Sequence, residues 1–103
     1  MRGIEVTESR VGAGTLVLTL AGTLEAPAVA TLLDRARLVP PEVDRVVLDI
    51  GQVRRMSAAG IRGLLIFQQR LRPLVRLSVT GADAAARRTL HLAGLQDSLD
   101  VEG

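Results

Sequence analysis

The side chains that could do chemistry are few, and most of them fall in one segment, Arg54-Arg55-Met56-Ser57-Ala58-Ala59-Gly60. Two guanidinium groups, a thioether and a hydroxyl are followed by three very small residues. Small residues at the start of a helix leave the unpaired N–H groups of its first turn open to approach. A carboxylate, a phosphate or the backbone of a partner would be met there. The structural alternative is that Ser57 is simply an N-cap, with Ala58, Ala59 and Gly60 small because the helix packs close to a sheet. Three further carboxylates, Glu25, Asp49 and Asp83, stand near expected strand ends, where isolated acids are ordinarily caps or solvated turn residues. The one histidine, His91, falls in the last turn of an amphipathic segment, where an imidazole suits the helix dipole.

Enzyme chemistry has little else to draw on. The 103 residues contain no cysteine and one histidine, and all 13 basic residues are arginine. Thiolate sites, a histidine-built zinc site and a lysine nucleophile are therefore excluded. There is no G-x-G-x-x-G after the first strand and no G-x-x-x-x-G-K-[ST]. The reading is a protein that is not an enzyme and needs no cofactor or metal. Phe67 is the sole aromatic, so a base-stacking platform has almost nothing to work with. The formal net charge is only +2; the pI of 10.9 reflects the absence of lysine, tyrosine and cysteine, the side chains that titrate between histidine and arginine. Arg54, Arg55, Arg62, Arg70, Arg72 and Arg76 form a basic stretch between Asp49 and Asp83. That stretch is the sharpest argument for nucleic-acid binding. So small a net charge offers few phosphate contacts, and the expectation is no nucleic-acid partner.

A chain of this size buries roughly 60–68% of its extended surface, enough for one core, so residues 1–103 are expected to form a single domain. No apolar run approaches the roughly 20 residues that span a bilayer. No leader-like segment is apparent, and a cytoplasmic location without membrane insertion is expected.

The elements follow from periodicity. Residues 4–7 and 15–21 read as strands joined by Gly12-Ala13-Gly14 in an antiparallel hairpin. The segment Gly22-Thr23-Leu24-Glu25 is expected to leave the sheet. Pro27 opens a helix whose stripe is Val29, Leu32, Leu33 and Ala36, stopped by Pro40-Pro41. Residues 45–50 (RVVLDI) form a nearly unbroken apolar run, the pattern of a central strand buried on both faces. Residues 51–56 are expected to be a loop, followed by a helix over 57–72 with Ile61, Leu64, Leu65 and Leu71 facing in. Residues 75–80 alternate as a half-buried strand. Asp83 caps a last helix running through Ala93, with Ala86, Leu90 and Ala93 inward and Gly94-Leu95 as its close. A short strand at 99–101 is added. The order β-β-α-β-α-β-α(-β) predicts an α/β fold, a mixed sheet covered by helices, with 45–50 parallel to 75–80.

These segments, in this order, resemble the STAS domain family of bacterial anti-sigma factor antagonists and their relatives. Gly22-Thr-Leu-Glu25 resembles the family's Gly-Glu-Leu-Asp turn, and Val46-Val-Leu-Asp-Ile50 its central strand. Met56-Ser-Ala-Ala-Gly-Ile61 stands where the family reads Met-Asp-Ser-Ser-Gly-Leu. Leu90-His-Leu-Ala-Gly-Leu95 resembles its terminal helix. The resemblance implies a partner-binding surface at Gly22, Thr23, Leu24, Glu25, Arg54, Arg55, Met56, Ser57, Ala58, Ala59 and Gly60; from the residues themselves, Met56 is expected to be exposed beside the small-residue tip. It implies capture of a histidine-kinase-like anti-sigma factor, which frees the sigma factor. In the family the first serine of Asp-Ser-Ser-Gly is phosphorylated, and here that position is Ala58. The usual switch therefore cannot operate, and Ser57 is the one displaced candidate for a phosphosite. The alternative is a STAS scaffold subunit of another assembly, bound to a transport ATPase or a stressosome-like complex. Self-association is left open.

Overall fold

The computed structural model describes residues 3–92 and 100–101. The elements are β1 (Ile4–Val11), β2 (Thr15–Leu24), α1 (Ala28–Arg37), β3 (Arg45–Met56), α2 (Ala58–Arg70), β4 (Arg76–Thr80), α3 (Ala84–Leu92) and β5 (Asp100–Val101). They follow the expected order. The five strands lie in the sheet in sequence order, β1-β2-β3-β4-β5. The β1–β2 hairpin is antiparallel; every later pair is parallel. Thus β3 is central and parallel to β4, as its aliphatic run requires. Part of the expected close of the last helix, Ala93, Gly94 and Leu95, lies outside the described residues, as does Leu99.

One face of the sheet carries the core. Register places Leu16, Val46 and Leu77 in one row and Leu18, Leu48 and Val79 in the next, all buried. Leu32 of α1 and Leu64 and Phe67 of α2 are fully buried in the same cluster, joined by Leu90 of α3. Phe67 is the largest of these, and burying such a side chain contributes roughly 1.5–3 kcal/mol. The helix stops are local. Pro40-Pro41 follows α1. Leu71 beyond α2 is extended (φ −75°, ψ 154°), and Pro73 disfavours helical backbone at Arg72.

The expectation that β3 is buried on both faces is corrected. Val46, Leu48 and Ile50 are buried, whereas Arg45, Val47 and Asp49 are half-buried. The same alternation runs through Leu16, Leu18 and Leu20 of β2 against Val17 and Thr19. β-Branched residues shield one another along an open sheet face, so an unbroken apolar run does not require a second layer of helices.

Candidate partner-binding site

The two segments singled out in the sequence lie side by side, although neither has the conformation expected of it. Residues 22–24 do not leave the sheet, and residues 51–56 are not a loop. β2 continues to Leu24 and β3 to Met56, and the two tails pair as Gly22↔Val53, Thr23↔Arg55 and Leu24↔Met56, with register shifts between Thr19 and Ala21 and between Gly22 and Thr23. The tails form a ribbon beyond the end of β4, flanked on the β2 side by the start of β1 at Ile4↔Gly22. Gln52, Arg54 and Arg55 are exposed on it, so it carries no alternation of buried and exposed side chains. Backbone pairing alone makes it a strand. Met56 is not exposed as expected: it is half-buried and packs on the core, drawn in beside its fully buried partner Leu24.

The ribbon delivers the chain to the tip of α2. Ser57 is the N-cap, extended at φ −100° and ψ 167°, and its hydroxyl accepts the Gly60 N–H at 3.1 Å. The Ser57 N–H donates to the Leu24 carbonyl at 3.0 Å, tying the start of the helix to the β2 tail. Gly60 is buried against that tail. A Cβ at Gly60 would overlap the Leu24 carbonyl and approach the Glu25 nitrogen to 2.9 Å. Only glycine lets the helix sit this low. Ala58, by contrast, is exposed and Ala59 half-buried. The small residues thus divide: Gly60 is small for packing, whereas Ala58 is exposed.

Glu25 fixes the opposite shore through its carbonyl, which accepts the Ala28 N–H at 2.9 Å. Thr23 donates through both its N–H (2.7 Å) and its hydroxyl (2.8 Å) to the Gly3 carbonyl. Beside the tip, Ala58 and Ile61 of α2 and Thr89 and Leu92 of α3 line a groove. Leu92 is 78% exposed there. Sequence reading missed this groove, because Leu92 falls off the stripe of Ala86 and Leu90 and gives no inward signal.

The arginine stretch is not one face. Arg54 and Arg55 lie on the ribbon, whereas Arg70, Arg72 and Arg76 lie at the end of the sheet where β3 and β4 begin. Arg72 donates to the carbonyls of Val39, Pro40, Pro41 and Val43 at 2.9–3.4 Å. Arg54 and Arg55 enter no ion pair or hydrogen bond with side chains among the described residues. The acids near strand ends act locally. Asp49 accepts the Gly51 N–H at 2.9 Å, and Asp83 caps α3 by accepting the Ala86 N–H at 2.8 Å. His91 is exposed in the last turn of α3.

A sheet in this order, with a glycine-seated helix tip held against the end of β2, is the architecture of a STAS domain. The family model described as "Mlab, STAS domain" matches residues 9–101, and the chain belongs to that family. No curated protein matches the chain. Among solved structures, it resembles an anti-sigma factor antagonist from Mycobacterium paratuberculosis, with a TM-score of 0.82 at 20% identity over 96% of this chain and 85% of that one. It is similar to the Bacillus cell fate determinant SpoIIAA in its phosphorylated form (0.70, 17% identity, 96% and 92% coverage). The STAS domain of a Vibrio cholerae SulP transporter scores 0.67 at 18% identity, with 90% and 75% coverage. At these identities the likeness shows a shared fold. Among the described residues, no helix is long and apolar enough to cross a membrane.

Proposed function

We propose that the protein is a binding module that captures a protein partner through the tip of α2 and the adjoining ribbon, in the manner of an anti-sigma factor antagonist. The partner is an anti-sigma factor of the histidine-kinase-like type, and its capture frees a sigma factor. The observation that carries this reading is the exposed Ala58 at a rigidly seated helix start, flanked by Arg54 and Arg55. Small side chains let a partner reach the N–H groups of the first turn, and the arginines favour an acidic partner surface over a basic one. Capture is constitutive. Ala58 has no hydroxyl, and that of Ser57 is turned inward as a cap.

A second reading is a scaffold subunit of a transport assembly, bound to its ATPase. It is supported by the hydroxyl-free exposed position at the tip and by the likeness to a transporter's STAS domain. Separated arginine clusters and a net charge of +2 argue against a nucleic-acid partner.

The test is capture from lysate by the wild-type chain and by Ala58→Asp. The variant places charge and bulk in the contact, while a helix N-terminus tolerates the carboxylate. Capture of an anti-sigma factor that is lost in the folded variant is expected. A transport ATPase as the captured protein selects the second reading. Equal capture by both chains removes the tip from the interface. Phosphorylation of Ser57 with release of the partner overturns constitutive binding.

A further inference from the structure

β3 runs on after its neighbour stops. β4 pairs with it only from Arg45↔Arg76 to Asp49↔Thr80, whereas β3 continues to Met56 with the β2 tail on its other side. The chain leaves β4 at Gly81, where φ is +81°. A Cβ there would stand 2.6 Å from Asp49 Oδ1 and 2.7 Å from the Gly51 nitrogen, so conformation and contact both demand glycine. The turn swings the chain away from β3 and into α3.

A cleft of about 200 Å³ opens between the outer edge of β3 and the start of α3. Val53, Arg54 and Met56 line one wall, and Gly81, Ala85 and Ala86 the other. Apart from the ladder to β2, no hydrogen bond reaches the backbone of residues 52–56 among the described residues. A strand edge with open donors and acceptors is a template for another extended chain. Gly81, Ala85 and Ala86 make up most of the facing wall, with Asp83 and Thr89 beside them, and their small side chains leave room for a backbone. Arg54 and Arg55 are exposed at this edge and neutralised by no ion pair among the described residues. Asp83, on the same rim, is engaged with the Ala86 N–H.

We infer that this cleft receives an extended, acidic segment of the protein partner, which adds to the outer edge of β3 as the strand that β4 does not supply. The inference rests on the protein-binding reading above and specifies the form of the contact. Main-chain pairing along β3 supplies affinity, and the two arginines select carboxylates and set the approach. One partner can reach both this edge and the tip of α2, since Met56 ends the first and Ser57 begins the second.

The probe is a fluorescein-labelled ten-residue peptide alternating glutamate with valine, titrated against the full chain by anisotropy and by backbone amide shifts. Saturable binding is expected, with the largest shifts and slowed amide exchange at Val53 to Met56 and shifts at Ala85 and Ala86. Ala85→Trp fills the cleft from an exposed position and should weaken binding at least tenfold while melting like the wild type. Arg54→Glu with Arg55→Glu should weaken it by a similar factor. The same peptide with arginine for glutamate, or with a central proline, should not bind. Absence of binding to the wild type, shifts confined to β1 or to the α2 tip, or full binding by the tryptophan variant would each overturn the inference. Self-association of the wild type that Ala85→Trp abolishes assigns the cleft to a second copy and overturns it too. Partner capture keeps the two claims apart. Loss with Ala58→Asp but not with Ala85→Trp retains the tip reading and removes the strand-addition inference, whereas loss with neither removes both.

Discussion

Where β3 and β4 begin, three arginines are tied down, although Arg70 and Arg76 stand exposed beside them; where β3 ends, neither Arg54 nor Arg55 is. At the first end Arg72 gathers four main-chain carbonyls, Arg10 pairs with Glu42 at 2.9 Å, and Arg45 donates to the Ser78 hydroxyl at 3.3 Å. At the second, Arg54 and Arg55 stand exposed on a ribbon that only β2 supports. The same side chain is a latch in one place and stands open to solvent in the other. What separates them is the supply of acceptors. The segment of residues 39–43, with two prolines that break the helix, presents several carbonyls to one cation, whereas the ribbon's carbonyls on the β2 side are spent in its own ladder.

This contrast predicts which substitutions cost stability and which cost binding. The largest effect belongs to Gly60→Ala. In an ordinary helix interior that exchange stabilises by about 1 kcal/mol. Here the added Cβ meets the Leu24 carbonyl, a backbone atom that cannot yield cheaply. A loss of about 3 kcal/mol is expected in urea denaturation, toward the upper end of ordinary overpacking. Removal of the latch by Arg72→Ala should follow, at about 1–2 kcal/mol, the range for hydrogen bonds to a charged group discounted for exposure. Partner capture should be unchanged in that variant, and a capture defect there would break the division between the two ends. Ser57→Ala removes the α2 cap and should cost about 1 kcal/mol. If the wild type, incubated with its partner and ATP, is captured as fully as this variant, the hydroxyl serves the helix and not a switch.

The smallest effect is one of pH. The hydrogen bond from Arg10 holds the Glu42 carboxyl below its ordinary value, helped by its own backbone N–H and by the charges of Arg10 and Arg72. A carboxyl depressed in the folded state adds stability above its unfolded pKa and loses it as pH falls through the folded one. A shallow decline in melting temperature below pH 4.5 should therefore be diminished in Glu42→Gln.

The core of the fold was legible because aliphatic runs announce themselves. Residues 45–50 and 75–80 had to be neighbouring strands, and Pro40-Pro41 and Pro73 had to end helices. Asp83 and Ser57 were readable as caps because capping is local chemistry. The ribbon was not readable. Gln52, Arg54 and Arg55 give no burial pattern, and their strand conformation comes from pairing with a segment some thirty residues earlier in the chain. The proximity of residues 22–25 to the helix tip followed only from the family resemblance, since no periodicity connects them. The cleft beside β3 depends on where β4 stops, which is decided by the contact of Gly81 with Gly51. Such contacts between distant backbones leave only glycines in the sequence, and glycines have many causes.

Glu8 and Arg10 of β1 lie opposite Leu18 and Leu16 on the helix-covered face, at positions where alternation calls for aliphatic residues. Each is answered from outside the strand, Glu8 by Arg35 of α1 at 2.8 Å and Arg10 by Glu42. Charges on the helix-side face of an outermost strand make it a poor seed for intermolecular stacking, because a second strand laid against it would take solvent from them. A chain in which 48% of residues are hydrophobic and lysine is absent thus has one flank insulated against fibril-like growth. Aliphatic replacement of both residues would leave the hairpin well formed, yet turn that flank into an aggregation nucleus, visible as light scattering on concentration long before any change in circular dichroism.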